Sequence, residues 1–333
     1  MTVKLALVGY GYWGPNLARN FTRAKGAELL YIVDSDEKKR AKASEEYRWI
    51  KTAPSLQDVL GDVDAVVIAT PPKTHYALAK AALEAGKHVL VEKPVTTNSN
   101  DAKELERLSK QKKLVLMVDH TFIYVDQVRY IKGLLDRGEL GTVNSLHFQR
   151  QAIDFLRRDV NVVEDLMTHD ISMLIYWMGE KASKPLNITA SGKSHFIKGI
   201  EDEAIAYLDY GDFTATLIAS SLSPVKIRKV MLVGDRKMAE FDDVKVSGKV
   251  EVHAKEIKAP LEAPSNYWDF IVQCTPGSTT IPYIASREPL FNMAAHFIDC
   301  AEHNKTPDTD ISFGVKVTEL MERINERVRT SSR

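Results

Sequence analysis

Lys93 follows a run of unusual composition: His88-Val-Leu-Val91 is mostly apolar, and the acid Glu92, the base Lys93 and Pro94 then follow in succession. A short apolar run bounded by turn signals predicts a buried parallel strand with the charged pair at its carboxyl end. Open α/β sheets place their ligands at that end. A lysine there is either a solvated surface charge or, when partly buried, a proton-transfer group. A second set is Asp165, His169, Ser172 and Tyr176, which recur at three- and four-residue spacing within 164–179. That spacing predicts one polar stripe along a helix that is otherwise apolar. The stripe needs partners, because an unpaired buried polar group costs roughly 2–7 kcal/mol. It is either a satisfied core network or the wall of a cleft in which Asp165 fixes the tautomer and orientation of His169.

A third set lies at the amino terminus. Gly9-Tyr-Gly11-Tyr12-Trp13-Gly14 follows the apolar run Val3 to Val8 and precedes a helical pattern from Leu17 to Arg23. Glycines in that context give a tight turn, bring the backbone close to a pyrophosphate and pack helix against strand. The next strand, Glu28 to Val33, ends in Asp34, twenty residues beyond Gly14. A carboxylate there accepts bonds from both hydroxyls of an adenine ribose and repels a phosphate on it, which predicts NAD in preference to NADP. Lys38, Lys39 and Arg40 keep NADP open, although a solvated helix face is their simpler account. Thr70, Pro71 and Pro72 stop a third strand, Asp64 to Ala69, and stiffen the loop beside the cofactor. His75 either packs on the cofactor or decorates the first turn of a helix over 74–85.

These groups need a frame, and the chain supplies one. Strand, helix and strand alternate through a helix near 100–111 and a strand over 114–118, which predicts a doubly wound parallel sheet for residues 1–120. Residues 121–333 read differently: a helix over 126–137, a strand over 143–151 and a loop over 154–161 containing Arg157 and Arg158. Alternating strands follow between 186 and 252, with Gly211-Asp212 as a hairpin signal, and two helices finish near 287–302 and 314–329. The expected architecture is α/β throughout: a Rossmann domain, then an α/β domain with a large, mostly antiparallel open sheet. Helices on one face of that sheet leave the other face to a second subunit, which predicts a homodimer or homotetramer.

Composition narrows the partners. Lysine plus arginine and aspartate plus glutamate are 45 each, so no global field attracts nucleic acid or an acidic membrane, and a small-molecule substrate is expected. The two isolated cysteines, Cys274 and Cys300, predict free thiols, no structural metal and a cytoplasmic setting. No segment approaches the length of an apolar membrane span.

With the Gly9 to Gly14 turn, Ala69-Thr-Pro-Pro-Lys-Thr-His75, Glu92-Lys93-Pro94 and Asp165-x-x-x-His169 assembled, the chain resembles the Gfo/Idh/MocA oxidoreductases over nearly its whole length. The resemblance implies a catalytic lysine at Lys93, helical acid–base partners at Asp165 and His169, cofactor contacts that include Glu92, and a cis bond before Pro94. Within the family, the segments 11–20, Asp119-His120-Thr-Phe-Ile-Tyr124, Arg158-Asp-Val-Asn161 and 165–171 look most like enzymes that oxidise the C3 hydroxyl of UDP-N-acetylglucosamine or its uronic acid. Such enzymes work beside a PLP-dependent aminotransferase in the biosynthesis of amino sugars for surface polysaccharide and lipid A. His120, Tyr124, Arg150, Arg158, Asn161 and His169 are the substrate contacts expected on this reading, and Phe122-Ile123 stands where polyol dehydrogenases tend to carry arginines. Lys93 and His169 are expected as a hydrogen-bonded pair about the reacting hydroxyl. Desolvation beside a cationic nicotinamide suits Lys93 to the role of base. A dehydrogenase of a free sugar or polyol and a non-catalytic NAD-binding sensor are the alternatives.

Overall fold

The structure is a computed structural model and describes residues 2–153, 160–255 and 277–331. By its contacts the chain divides into two units, 1–125 with 287–322 and 126–286 with 323–333.

The first unit is built on β1 (Val3–Val8), β2 (Ala27–Val33), β3 (Lys51–Ala53), β4 (Ala65–Ile68), β5 (His88–Glu92) and β6 (Leu116–Asp119), in the order β3-β2-β1-β4-β5-β6. Every pairing is parallel. Parallel strands are covered on both faces, which is why β4 reads Ala-Val-Val-Ile with all four residues buried. The strand order reverses between β1 and β4, so the crevice beyond their carboxyl ends is the position where such sheets hold ligands. The connecting helices are α1 (Gly14–Phe21), α2 (Glu37–Glu46), α3 (His75–Glu84) and α4 (Ser99–Lys112). Helix α1 begins earlier than its apolar pattern, because Pro15 has the φ of a first helical turn and lacks a donor that would be orphaned there. Asp36 caps α2 by accepting from the Lys38 amide, and Asn98 caps α4 by accepting from that of Asp101.

Segment 287–322, far along the chain, packs with this unit and not with its sequence neighbours. The Phe21 and Phe297 rings meet edge to face at 6.2 Å, and Arg19 donates two bonds to Glu288. The division at residue 120 follows the chain, whereas contacts carry residues 287–322 back across it.

The second unit holds α5 (Asp126–Asp136), β7 (Val143–Ile153), α6 (Thr168–Met178), β8 (Asn187–Lys193), β9 (Glu203–Asp209), β10 (Thr214–Ser220), β11 (Leu222–Gly234), β12 (Met238–Asp242), β13 (Val250–His253) and β14 (Thr279–Thr280). Its sheet runs β14-β13-β12-β11-β7-β10-β9-β8, antiparallel except where β10 lies parallel to β7. The mostly antiparallel open sheet expected from the alternating pattern is present, with Gly211 at φ +84° in the hairpin between β9 and β10. Burial alternates along β9: Ala204, Ala206 and Leu208 are inside, while Ile205 and Tyr207 are exposed. Helix α7 (Pro289–His303) belongs to the first unit, and α8 (Ile311–Ser331) runs from the first unit into the residues grouped with the second. No helix among the described residues is long and apolar enough to cross a membrane.

Candidate active site

In the first unit the glycine turn meets the crevice between β1 and β4. Gly9 sits at φ +98°, and a Cβ there would lie 2.6 Å from the Ala69 carbonyl oxygen; one on Gly14 would lie 2.4 Å from that of Gly9. Neither position tolerates a side chain, since φ is forbidden at one and backbone blocks both. A Cβ on Gly11 would meet nothing within 4 Å, so its backbone faces open space, with Tyr12 and Trp13 exposed beside it. The Asp34 carboxylate accepts from the Tyr10 amide at 2.8 Å through one oxygen and from the Asp36 amide at 2.9 Å through the other. Each oxygen keeps a lone pair for a further donor. Lys39 lies 3.7 Å from Asp34, and Arg40 donates to the Asp34 and Ser35 carbonyls. Tight turn, open backbone and held carboxylate fit an adenine dinucleotide with free ribose hydroxyls.

Beside this crevice lies the loop after β4. His75 is fully buried, and its ring nitrogens sit 2.8 Å from the Thr70 and Pro94 carbonyl oxygens. Burial pushes its pKa down while the two carbonyls oppose the change. The ring therefore ties the Thr70-Pro71 loop to the turn that follows Lys93. Between Lys93 and Pro94 the peptide bond is cis.

The ends of β5 and β6 carry three titratable groups held away from their ordinary protonation behaviour. Parallel register places Glu92 beside Asp119, and Asp119 and His120 are nearly inaccessible. Thr121 donates to one oxygen of Asp119 at 2.7 Å; its other oxygen, Oδ2, and both ring nitrogens of His120 are buried without hydrogen-bond partners. Burial pushes Glu92 well above the usual carboxylate range, and the neighbouring Asp119 pushes the same way. Asp119 is raised by burial to about 6, against Thr121 and Lys93, which favour its ionised form. His120 is pushed down to about 3 by burial and then by the Lys93 charge, so it is a neutral imidazole. Its ring stands edge-on to Phe313 at 5.5 Å. Tyr124, expected beside a substrate, is fully buried, with its hydroxyl 3.0 Å from that of Thr309.

In the second unit, Asp165 lies in a π-helical turn, Val163–Met167, that leads into α6. Such turns widen the helix by one residue and frequently mark functional sites. Asp165, His169 and Tyr176 are partly exposed, while Ser172 is buried and donates to the His169 carbonyl. The expected stripe thus separates into an accessible edge and one inward hydroxyl. Arg150 is buried and donates from Nε and Nη2 to a single oxygen of Asp170, at 3.1 and 2.8 Å. The Asn161 side-chain amide donates to Glu201 and Asn325, and its oxygen accepts from the Glu164 amide. A small open cleft beside it is lined by Asn161, Asp165, Phe196, Glu201, Asp202 and Ser221, among others. Arg157 and Arg158 lie outside the described residues. Among the described residues no cluster of His, Cys, Asp or Glu is arranged to hold a metal.

Asp119 and the Asp170 partner of Arg150 were not expected as site residues. For Asp119 the signal was present: an acid closes an apolar run one strand beyond Glu92. For Asp170 there was none, since an acid on an amphipathic helix reads as surface.

Residues 3–120 match the NAD-binding Rossmann fold of an oxidoreductase family, and 132–333 match that family's C-terminal alpha/beta domain. The chain belongs to the Gfo/Idh/MocA family. Its dinucleotide site is therefore an NAD site within an oxidoreductase framework. UDP-N-acetylglucosamine 3-dehydrogenase of Acidithiobacillus ferrooxidans is 28% identical over 72% of this chain and 74% of its own. Inositol 2-dehydrogenase of Rhizobium meliloti is 25% identical over 77% and 74%. The solved structure of the Acidithiobacillus enzyme superposes with a TM-score of 0.84 over 99% of both chains at 22% identity. An oxidoreductase from Agrobacterium radiobacter, solved with NAD+, L-tartaric acid and magnesium, gives 0.80 over 99% and 97% at 19% identity. These superpositions establish the fold.

Proposed function

We propose that the protein is an NAD-dependent dehydrogenase that oxidises the C3 hydroxyl of a UDP-N-acetyl-hexosamine, the N-acetylglucosamine form or its uronic acid. The observation that carries the reading is the end of β5 and β6: Lys93 next to a buried neutral His120 whose two nitrogens lack partners, on the sheet that carries the dinucleotide turn. Buried polar atoms without partners are costly, and a ligand hydroxyl or amide repays the cost. NAD, when bound, accepts the hydride. Lys93 takes the hydroxyl proton, with His169 as the competing base and Asp165 as the residue that orients it. Neutral His120 offers one donor and one acceptor to the sugar.

Support for a nucleotide sugar comes from the Acidithiobacillus relative, which matches this chain over most of its length. Residues 1–120 are assigned to the cofactor and 121–333 to the substrate and to assembly. Arg150 and Asn161 act through the buried networks they join, and Arg158 is assigned to the diphosphate. The exposed Ile205 and Tyr207 face of the second sheet is assigned to a homodimer or homotetramer, which light scattering tests: a monomer would refute it. The 3-keto product is the substrate a PLP-dependent aminotransferase requires. A free polyol is the second reading, favoured by the match to inositol 2-dehydrogenase. Purified protein with NAD and a carbonyl trap, offered UDP-N-acetylglucosamine, its uronic acid and myo-inositol, separates the two. Reduction with one UDP-sugar supports the proposal, and reduction with inositol alone replaces it.

A further inference from the structure

Two carboxylates side by side at the ends of adjacent strands repel where water is largely excluded, and here Asp119 is buried while Glu92 keeps part of its surface exposed. Here the register fixes Glu92 beside Asp119, and the second oxygen of Asp119 has no donor among the groups around it. Thr121 supplies one hydrogen bond to Asp119, and the Lys93 amide supplies one to Glu92 at 3.2 Å. A proton held by Glu92 would complete the set. It would give the orphaned Asp119 oxygen its donor and remove the repulsion.

We infer that Glu92 and Asp119 share one proton, carried by the Glu92 carboxyl and donated to Asp119, and that the pair acts as a single-charge positioning device for Lys93. The charged and titratable groups acting on the pair are the two carboxyls and Lys93, with His120 beside them neutral. The directions of the shifts agree: Glu92 is raised far, whereas Asp119 is raised only to about 6 and is ionised at neutral pH. One negative charge holds the Lys93 side chain at the strand end, where two would bind it too strongly to leave it free for a substrate and none would leave it unanchored. The hydrogen bond to Asp119 also keeps the Glu92 carboxyl from turning away. Neither residue exchanges a proton with the substrate; both act through Lys93.

The shared proton stands by itself, while the role given to Lys93 rests on the proposed dehydrogenase reading. The first test therefore needs no substrate. An infrared difference spectrum of the protein at neutral pH, wild type minus Glu92→Gln, is expected to show the carbonyl stretch of a protonated carboxylic acid. Absence of that band means two ionised carboxylates and overturns the inference. The second test reads turnover against pH. In the Glu92→Gln variant the new side-chain amide still donates to Asp119 and the charge of the pair stays at one. Whatever its plateau, that variant is therefore expected to keep an acid limb near the Asp119 titration at about 6. The double variant Glu92→Gln with Asp119→Asn has no titrating group in the pair, so its acid limb is expected to vanish and its plateau to fall. The same limb in the double variant would show that the pair does not set the state of Lys93.

Discussion

Two buried polar regions of this molecule satisfy their hydrogen bonds to different degrees. At the ends of β5 and β6, both nitrogens of His120 are buried and lack partners. In the second unit, Asn161 is held by Glu201, Asn325 and the Glu164 amide, and Arg150 gives two donors to one oxygen of Asp170, whose Oδ2 is buried without a partner. A satisfied network stabilises one conformation, whereas an unsatisfied one costs stability unless something arrives to complete it. On the proposed reading His120 awaits a ligand and Asn161 holds the fold, although both were candidates for substrate contact by type alone.

Mutations sharpen that separation. Lys93→Ala is expected to cut turnover by about 10²–10⁴-fold, the usual worth of a positioned acid or base, with the thermal midpoint nearly unchanged. Normal turnover in steady-state assays would remove Lys93 from the mechanism. Arg150→Ala should do the reverse, lowering stability by about 3–5 kcal/mol in urea unfolding, because it strands a buried Asp170 whose carboxyl burial already pushes upward. If that variant instead unfolds like the wild type, the buried pair is not structural. Asp34→Ala removes a charged acceptor and should weaken NAD roughly tenfold to a hundredfold by titration calorimetry. NADP should then bind relatively better, since the repulsion of its ribose phosphate is gone.

The smallest effect is one of pH. His120 has a folded pKa of about 3 against 6.5 ordinarily, so the unfolded chain binds the proton first as pH falls. This group's stability contribution is present above pH 6.5 and lost as pH falls through about 3. His120→Phe, packed beside Phe313, should therefore show a shallower loss of thermal midpoint across that window. Identical acid limbs for variant and wild type would mean that the native imidazole is already protonated or exposed.

The sequence carried unequal amounts of this. The glycine turn, Asp34 and Glu92-Lys93-Pro94 were legible because each is local: a turn and a strand end place their own residues. The apolar runs also gave the parallel sheet, and the alternation of 203–209 gave the antiparallel one. What was hidden depends on register between distant segments. Glu92 meets Asp119 only because β5 pairs with β6, and Asp170 meets Arg150 only because α6 packs on β7. Packing also returns residues 287–322 to the first unit, which no linear pattern announces. The π-helical turn at Asp165 was likewise invisible, since its polar spacing reads as an ordinary helix.

The central claim is hydride transfer from a sugar carbon to NAD at the Lys93 site. It is tested most directly with UDP-N-acetylglucosamine, and in parallel its uronic acid, deuterated at C3 and incubated with protein, NAD and a carbonyl trap. The account predicts reduced nicotinamide carrying deuterium from C3 of one of these sugars, formed far more slowly by Lys93→Ala. Reduced cofactor without deuterium, or none from either sugar while inositol is oxidised, would contradict it.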